Sequence, residues 1–303
     1  MRTATIRATL GGALLLLSVL ASASATQSKA IPSAHPISQR ISVQTQGSGP
    51  DVILIPGLAS SRDIWTDLAA TLRKNHRIHL VELAGFASTP AVSNPQGQVI
   101  APAVDAIADY IQTQHIQAPA IIGHSLGGEV ALMLGARHPD LVGRLMIVDA
   151  LPFYTLMIDP AATSETAARQ ATAMRDWLLG QSPEQRKEFQ KTSINRLAKT
   201  EAVRPALVTA GINSDRKTVA DAVYELMITD LRPELARINA PMEILYAYDP
   251  LFGIPAASVE AMYRQAYASA PDAHFTQIDD SFHFVMLDQP ERFSTAVESF
   301  LNK

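Results

Sequence analysis

From Ile37 onward the chain alternates short apolar runs with longer stretches of helical period, and this alternation restricts its fold more than any other feature. Residues 51–55 (DVILI) read as a buried strand that stops at Pro56-Gly57. Residues 77–83, 119–123, 144–149, 242–248 and 274–278 have the same character, and 37–46 hold one or two leading strands. Helical spacing runs through 63–74, 99–115, 129–137 and 290–301. Strands separated by helices must be joined by crossovers, so the expected fold is α/β, a mostly parallel sheet covered on both faces.

One region breaks the pattern. Between 151 and 237 no strand is expected, whereas 163–179, 183–197, 202–210 and 217–231 all carry helical spacing. The simplest organisation is a sheet core of 37–150 and 238–303 with a helical cap inserted at 151–237. Its place beside the strand ends gives it the character of a lid, and Met157, Met174 and Met227 would make its apolar cover adaptable.

At 303 residues and 47% apolar content the chain can bury a sizeable core. A net charge of -4 leaves no basic excess to neutralise phosphates, so nucleic acid is not an expected partner. The absence of cysteine excludes disulfides, thiolate nucleophiles and Cys-bound metal, and no HExxH or EF-hand spacing occurs. No cofactor or metal is expected. The first 25 residues read as a signal peptide: Arg2 and Arg7 precede an apolar run from Leu10 to Ala21, and Ala23-Ser24-Ala25 supplies a small-x-small cleavage site. Ser and Gly interrupt that run, which falls short of the roughly 20 residues of a spanning helix. The expectation is therefore a periplasmic or secreted protein with no stable membrane anchor after cleavage near Ala25, followed by a flexible lead-in at 26–36.

Chemistry enters at IIGHSLGGE, residues 121–129. A strand that turns sharply into a helix through Gly123-His124-Ser125-Leu126-Gly127 leaves no room for side chains beside the turn, and it holds the Ser125 hydroxyl out at the sheet edge. The helix start then aims free N–H groups and a positive dipole end at the same place. Ser125 is the expected nucleophile.

With IPGLASSRDIW at 55–65, ELAGFAST at 82–89 and DSFHFVMLDQPERF at 280–293, this stretch resembles the α/β-hydrolase superfamily over roughly residues 37–303. The resemblance implies a Ser-His-Asp triad and a small-molecule substrate. His283, after the last strand, matches the histidine; it would serve as the base that a serine hydroxyl needs. His115, His138 and His274 better suit a packing role, and His124, pointing away from the nucleophile, receives no chemistry. Asp249 in YAYDPLFGIP matches the usual acid position and is preferred, with Asp149 in MIVDA as its rival. Asp279 and Asp280 are read as capping or turn residues. By the same match, the oxyanion hole would use the backbone N–H groups of Leu58 and Leu126.

The sequence departs from the family at Pro56-Gly57, where His-Gly is commoner, and at Glu82, Ala84 and Ala87, which replace a usual Asp-x-Pro-Gly-x-Gly; Gly85 keeps the turn. Leu58, Leu126, Phe153, Trp177, Phe252 and Phe284 are candidate pocket walls. A serine nucleophile disfavours epoxide hydrolases and haloalkane dehalogenases of this fold, which use aspartate there, and export disfavours coenzyme A thioesters. Carboxylic ester or lactone hydrolysis is the expected reaction, with C–C bond hydrolysis, peroxyacid formation or ligand binding with little turnover as alternatives.

Overall fold

The computed structural model describes residues 35–92 and 97–303. The expected signal peptide and most of the expected lead-in lie outside the described residues. His35 and Pro36, assigned to that lead-in, instead begin a strand, β1 (His35–Ser38), followed by β2 (Ile41–Gly47), β3 (Asp51–Ile55) and β4 (Arg77–Leu83). β5 (Ala120–His124), β6 (Arg144–Val148), β7 (Met242–Tyr248) and β8 (Ala273–Asp279) complete one sheet in the order β1-β2-β4-β3-β5-β6-β7-β8. Only β2 runs against its neighbours; every other pairing is parallel.

The two-residue side-chain period sorts the apolar strand residues onto two faces. Ile53, Ile55, Val81, Leu83 and Ile121 join one buried cluster with α2 (Ile100–Thr113) and α3 (Leu126–Arg137). Val52, Leu54, Ile78, Leu80 and Ile122 join the other with α1 (Thr66–Leu72). This double burial explains why the central runs lack polar alternation, and each fully buried Ile or Leu contributes about 1.5–3 kcal/mol relative to exposure.

Between β6 and β7 the described chain is helical, with α4 (Ser164–Gly180), α5 (Pro183–Leu197), α6 (Arg204–Asn213) and α7 (Arg216–Ile228). Capping boxes at Thr163/Thr166 and Ser182/Gln185 set the starts of α4 and α5. After β7 comes α8 (Ala256–Ala266), a helix absent from the sequence reading, whose buried stripe is only Val259, Tyr263 and Ala266. A short α9 (Val285–Asp288) and α10 (Pro290–Leu301) end the chain, α10 burying Phe293, Val297 and Phe300 against the α1 side.

The inserted helices are tied to the core at several points. The Glu225 carboxylate receives the N–H groups of Val99, Ile100 and Ala101, capping α2 from α7. The Ser214 hydroxyl receives the Ala87 N–H (2.9 Å), and the Asp215 N–H donates to the Gly85 carbonyl (2.7 Å). The Asp288 carboxylate gathers the N–H groups of Lys199 and Thr200 from beyond α5 together with that of Phe282.

A second carboxyl is buried without such partners. Glu129 on α3 is inaccessible, and neither of its oxygens has a hydrogen-bond partner among the described residues; the nearby Thr229 hydroxyl is committed to the Glu225 carbonyl (2.7 Å). Burial, and then the charge of Glu225, push the Glu129 carboxyl well above the usual carboxylate range. The folded state thus keeps a proton that the unfolded chain releases, so this contribution to stability is present at low pH and is lost as pH rises above the unfolded value. Glu129→Gln is expected to add on the order of 1–3 kcal/mol at neutral pH and much less near pH 4. Denaturant titrations of both proteins at the two pH values measure the gap, and a constant gap would contradict this linkage.

Candidate active site

Ser125 stands between β5 and α3 with φ 54° and ψ -122°, a conformation that L-residues rarely adopt. The crowding expected on either side is severe. A Cβ on Gly123 would lie 2.1 Å from the Gly127 carbonyl oxygen, and one on Gly127 would lie 2.3 Å from that of Ile55. Both positions must be glycine for β5, β3 and α3 to approach this closely. α3 starts at Leu126, three residues earlier than its apolar spacing alone indicates, so Ser125 directly precedes the first helical turn. Its own N–H is fixed by the Val148 carbonyl on β6 (2.9 Å).

His283 lies in the loop between β8 and α9. Its Nδ1 is 2.7 Å from Oδ2 of Asp149, and since a carboxylate only accepts, Nδ1 carries a hydrogen, which in the neutral ring leaves the lone pair on Nε2. The other oxygen of Asp149 receives the Ala247 N–H (3.0 Å) and the Tyr263 hydroxyl (3.0 Å). Burial and the Asp149 charge raise the Tyr263 phenol well above its ordinary range, so it stays a donor. Asp149 itself has φ 48°, a left-handed conformation that aspartate tolerates better than most residues and that turns its carboxylate toward β7 and the histidine loop.

This arrangement corrects the preference for Asp249. That residue is 1% exposed, but its carboxylate is occupied by Lys199 Nζ (2.6 Å) and the Leu251 N–H (2.9 Å). Burial works to raise the Asp249 carboxyl, but Lys199 and the Leu251 N–H outweigh it and hold the group below the ordinary aspartate range. Asp249 caps the DPLFG turn and anchors the inserted helices; Asp149, one strand over, is the carboxylate that meets the imidazole. Sequence reasoning missed Tyr263 because α8 itself was missed. The Lys199 pairing joins residues 50 apart and has no local sequence signature.

Among the described residues, the N–H groups of Leu58 and Leu126 have no protein acceptor. The Ser60 N–H donates to the Gly57 carbonyl (3.2 Å), shaping the turn that carries Leu58. The proposed walls divide. Leu126 and Phe284 are buried beside Ser125 and His283 in sequence, and Phe284 packs 5.7 Å from the His283 ring. Phe252, 40% exposed, lies 5.8 Å from Phe282. Phe153 is instead wholly buried in the core beneath the Arg232 guanidinium. Trp177, 48% exposed, stacks edge-on with Phe189 in a crevice of ≈ 440 Å³ lined by α4 and α5 residues, away from Ser125, Asp149 and His283. The described residues contain no cluster of three His, Asp or Glu side chains placed to hold a metal, and no helix long and apolar enough to cross a membrane.

Residues 52–296 match the model of the alpha/beta hydrolase family, and the chain belongs to that family. Among curated relatives, it is 27% identical to the pimeloyl-[acyl-carrier protein] methyl ester esterase of Aromatoleum aromaticum, across 82% of this chain and 97% of that protein. It is 28% identical to the enzyme of the same name from Chromobacterium violaceum, across 86% and 97%. Among solved structures, the enol-lactonase of Burkholderia xenovorans LB400 superposes with a TM-score of 0.72 at 17% identity, covering 89% of this chain and 100% of that one. A thermophilic esterase from Thermogutta terrifontis gives 0.69 at 21% identity, covering 86% and 93%. At these identities the structural likeness establishes the fold.

Proposed function

We propose that the chain is an exported serine hydrolase that cleaves carboxylic esters or lactones through an acyl-enzyme. The observation that carries this reading is the pairing of His283 Nδ1 with Asp149 at the same sheet edge that displays the strained Ser125 turn. Ser125 Oγ attacks the carbonyl carbon as its proton passes to Nε2 of His283, and Asp149 stabilises the imidazolium. The oxyanion is received by the N–H groups of Leu58 and Leu126, with the start of α3 adding its dipole. His283 then protonates the departing alkoxide oxygen. Water, giving its proton to the same nitrogen, attacks the acyl carbon and releases the acid and Ser125.

The methyl ester esterase names of the relatives support an ester bond as the target. Half-exposed Phe252 and its neighbour Phe282, next to His283, support an apolar group on the substrate. The basic start, apolar run and small-x-small site support export, with a mature chain beginning near Thr26. The inserted helices act as a cap that sets acyl preference.

A fluorophosphonate should label the mature protein once, on Ser125, and p-nitrophenyl esters of increasing chain length should compete with the label in the order in which they are turned over. Mass mapping of the adduct and kcat/KM across the ester series test this together. A folded protein that neither takes the label nor hydrolyses any ester would favour ligand binding over catalysis.

A further inference from the structure

We propose that His124, the residue before the nucleophile, is a positioning residue that holds the main chain of His283 through a neutral imidazole N–H. The inference rests on His283 being the general base. The His124 side chain is 0% exposed, and its Nε2 lies 2.9 Å from the His283 carbonyl oxygen. A carbonyl only accepts, so Nε2 carries the hydrogen and Nδ1 of the neutral ring does not. Nδ1 has no partner among the described residues, and a Cβ placed on Gly57 would stand 3.0 Å from it. The ring therefore fills the space between the histidine loop and the turn that carries Leu58.

The donor must be uncharged. The two imidazole rings lie 4.5 Å apart between centroids, and catalysis turns His283 into a cation. A lysine or arginine in this place would oppose that charge in a medium that screens it poorly. Complete burial, and then the nearby His283, push the His124 imidazole well below the ordinary histidine range, so the donor is uncharged at neutral pH. Other restraints on the loop include the Ser281 N–H on the Tyr248 carbonyl (3.3 Å), the Phe282 N–H on Asp288 (2.9 Å), the Phe284 N–H on the Leu197 carbonyl (3.0 Å), the Gln289 side-chain amide on the Asp280 carbonyl (2.9 Å) and the Asp149 carboxylate on the imidazole (2.7 Å). His124 supplies the restraint on the carbonyl of His283 itself. Its ring also packs against Phe284 (5.0 Å) and Trp65 (6.4 Å), which fixes its direction.

His124→Phe keeps the ring volume without the donor, and His124→Gln places an amide N–H near the position of Nε2. The phenylalanine variant is expected to lose about 10–100-fold in kcat, with KM within about threefold, and to react more slowly with a fluorophosphonate by a similar factor. Glutamine should recover most of both. A folded phenylalanine variant with parental kcat, or a glutamine variant equally impaired, overturns the proposal. Should either variant fail to fold, nitrogen-15 NMR of the parent decides: His124 is expected to hold the neutral Nε2–H form from about pH 5 to 8, and a charged or Nδ1–H ring would refute its role. Ser125→Ala serves as the control. Turnover in that variant would defeat the assignment of the reaction, whereas an inactive Ser125→Ala beside an unimpaired His124→Phe would defeat only the role of His124.

Discussion

Asp149→Asn is expected to lower kcat/KM by roughly 10⁴-fold, while Asp249→Asn leaves it within about threefold. The contrast follows from what each carboxylate touches. The amide introduced by Asp149→Asn could present an N–H to His283 Nδ1 and favour the tautomer with hydrogen on Nε2, the nitrogen that must accept the serine proton; it would also lack the charge that stabilises the imidazolium. The amide introduced by Asp249→Asn keeps an oxygen for the Leu251 N–H and loses only the attraction for Lys199, whose side chain is 39% exposed. Because the Asp249 carboxylate is buried while Lys199 can turn to solvent, that loss falls on stability, on the order of 1–3 kcal/mol, and not on the imidazole. Steady-state kinetics on one ester together with denaturant unfolding separate the two effects. The reverse pattern, a tolerant Asp149 and an essential Asp249, would show that the hydrogen bonding seen here is not the working one.

Ser125→Gly should abolish turnover by a comparable factor and yet make the protein more stable. The φ 54° and ψ -122° of Ser125 cost on the order of 1–3 kcal/mol for a residue with a Cβ, whereas glycine adopts them without strain. Glycine gives back about 0.4–1 kcal/mol through the entropy of the unfolded chain, leaving a net gain of about 1 kcal/mol and a melting temperature higher by a few degrees. Ser125→Ala, which retains the Cβ, should lose activity without the gain. A glycine variant less stable than the parent would mean that the turn is not strained.

The fold was legible because its strands are buried on both faces, which gives continuous apolar runs such as DVILI and RLMIV that no amphipathic helix would carry. The strained turn at Ser125 was legible because Gly123 and Gly127 are demanded by backbone contacts that the spacing itself implies. The acid was not. Asp149 and Asp249 both follow parallel strands that are neighbours in the sheet, and only the direction of the histidine loop decides between them. A local sign was nevertheless present: aspartate followed by Pro250-Leu251-Phe252-Gly253 is a self-capping turn, and a carboxylate occupied by its own turn is less available to an imidazole. Phe153 and Trp177 show a different limit. Aromatic type does not distinguish a core residue from a wall residue, and here one lies under Arg232 and the other in the crevice between α4 and α5, against Phe189.

Asp288 gives the seam between the inserted helices and the sheet a particular thermal character. One carboxylate holds two N–H groups from the inserted segment and one from the loop of His283, so neither side can let go without unfixing an anchor of the other. Fraying that begins near Lys199 would loosen the loop of His283 through Asp288 and the turn after β7 through Asp249. Heat inactivation would then be set by the lifetime of this seam, and a protein could stop working while its sheet was still intact.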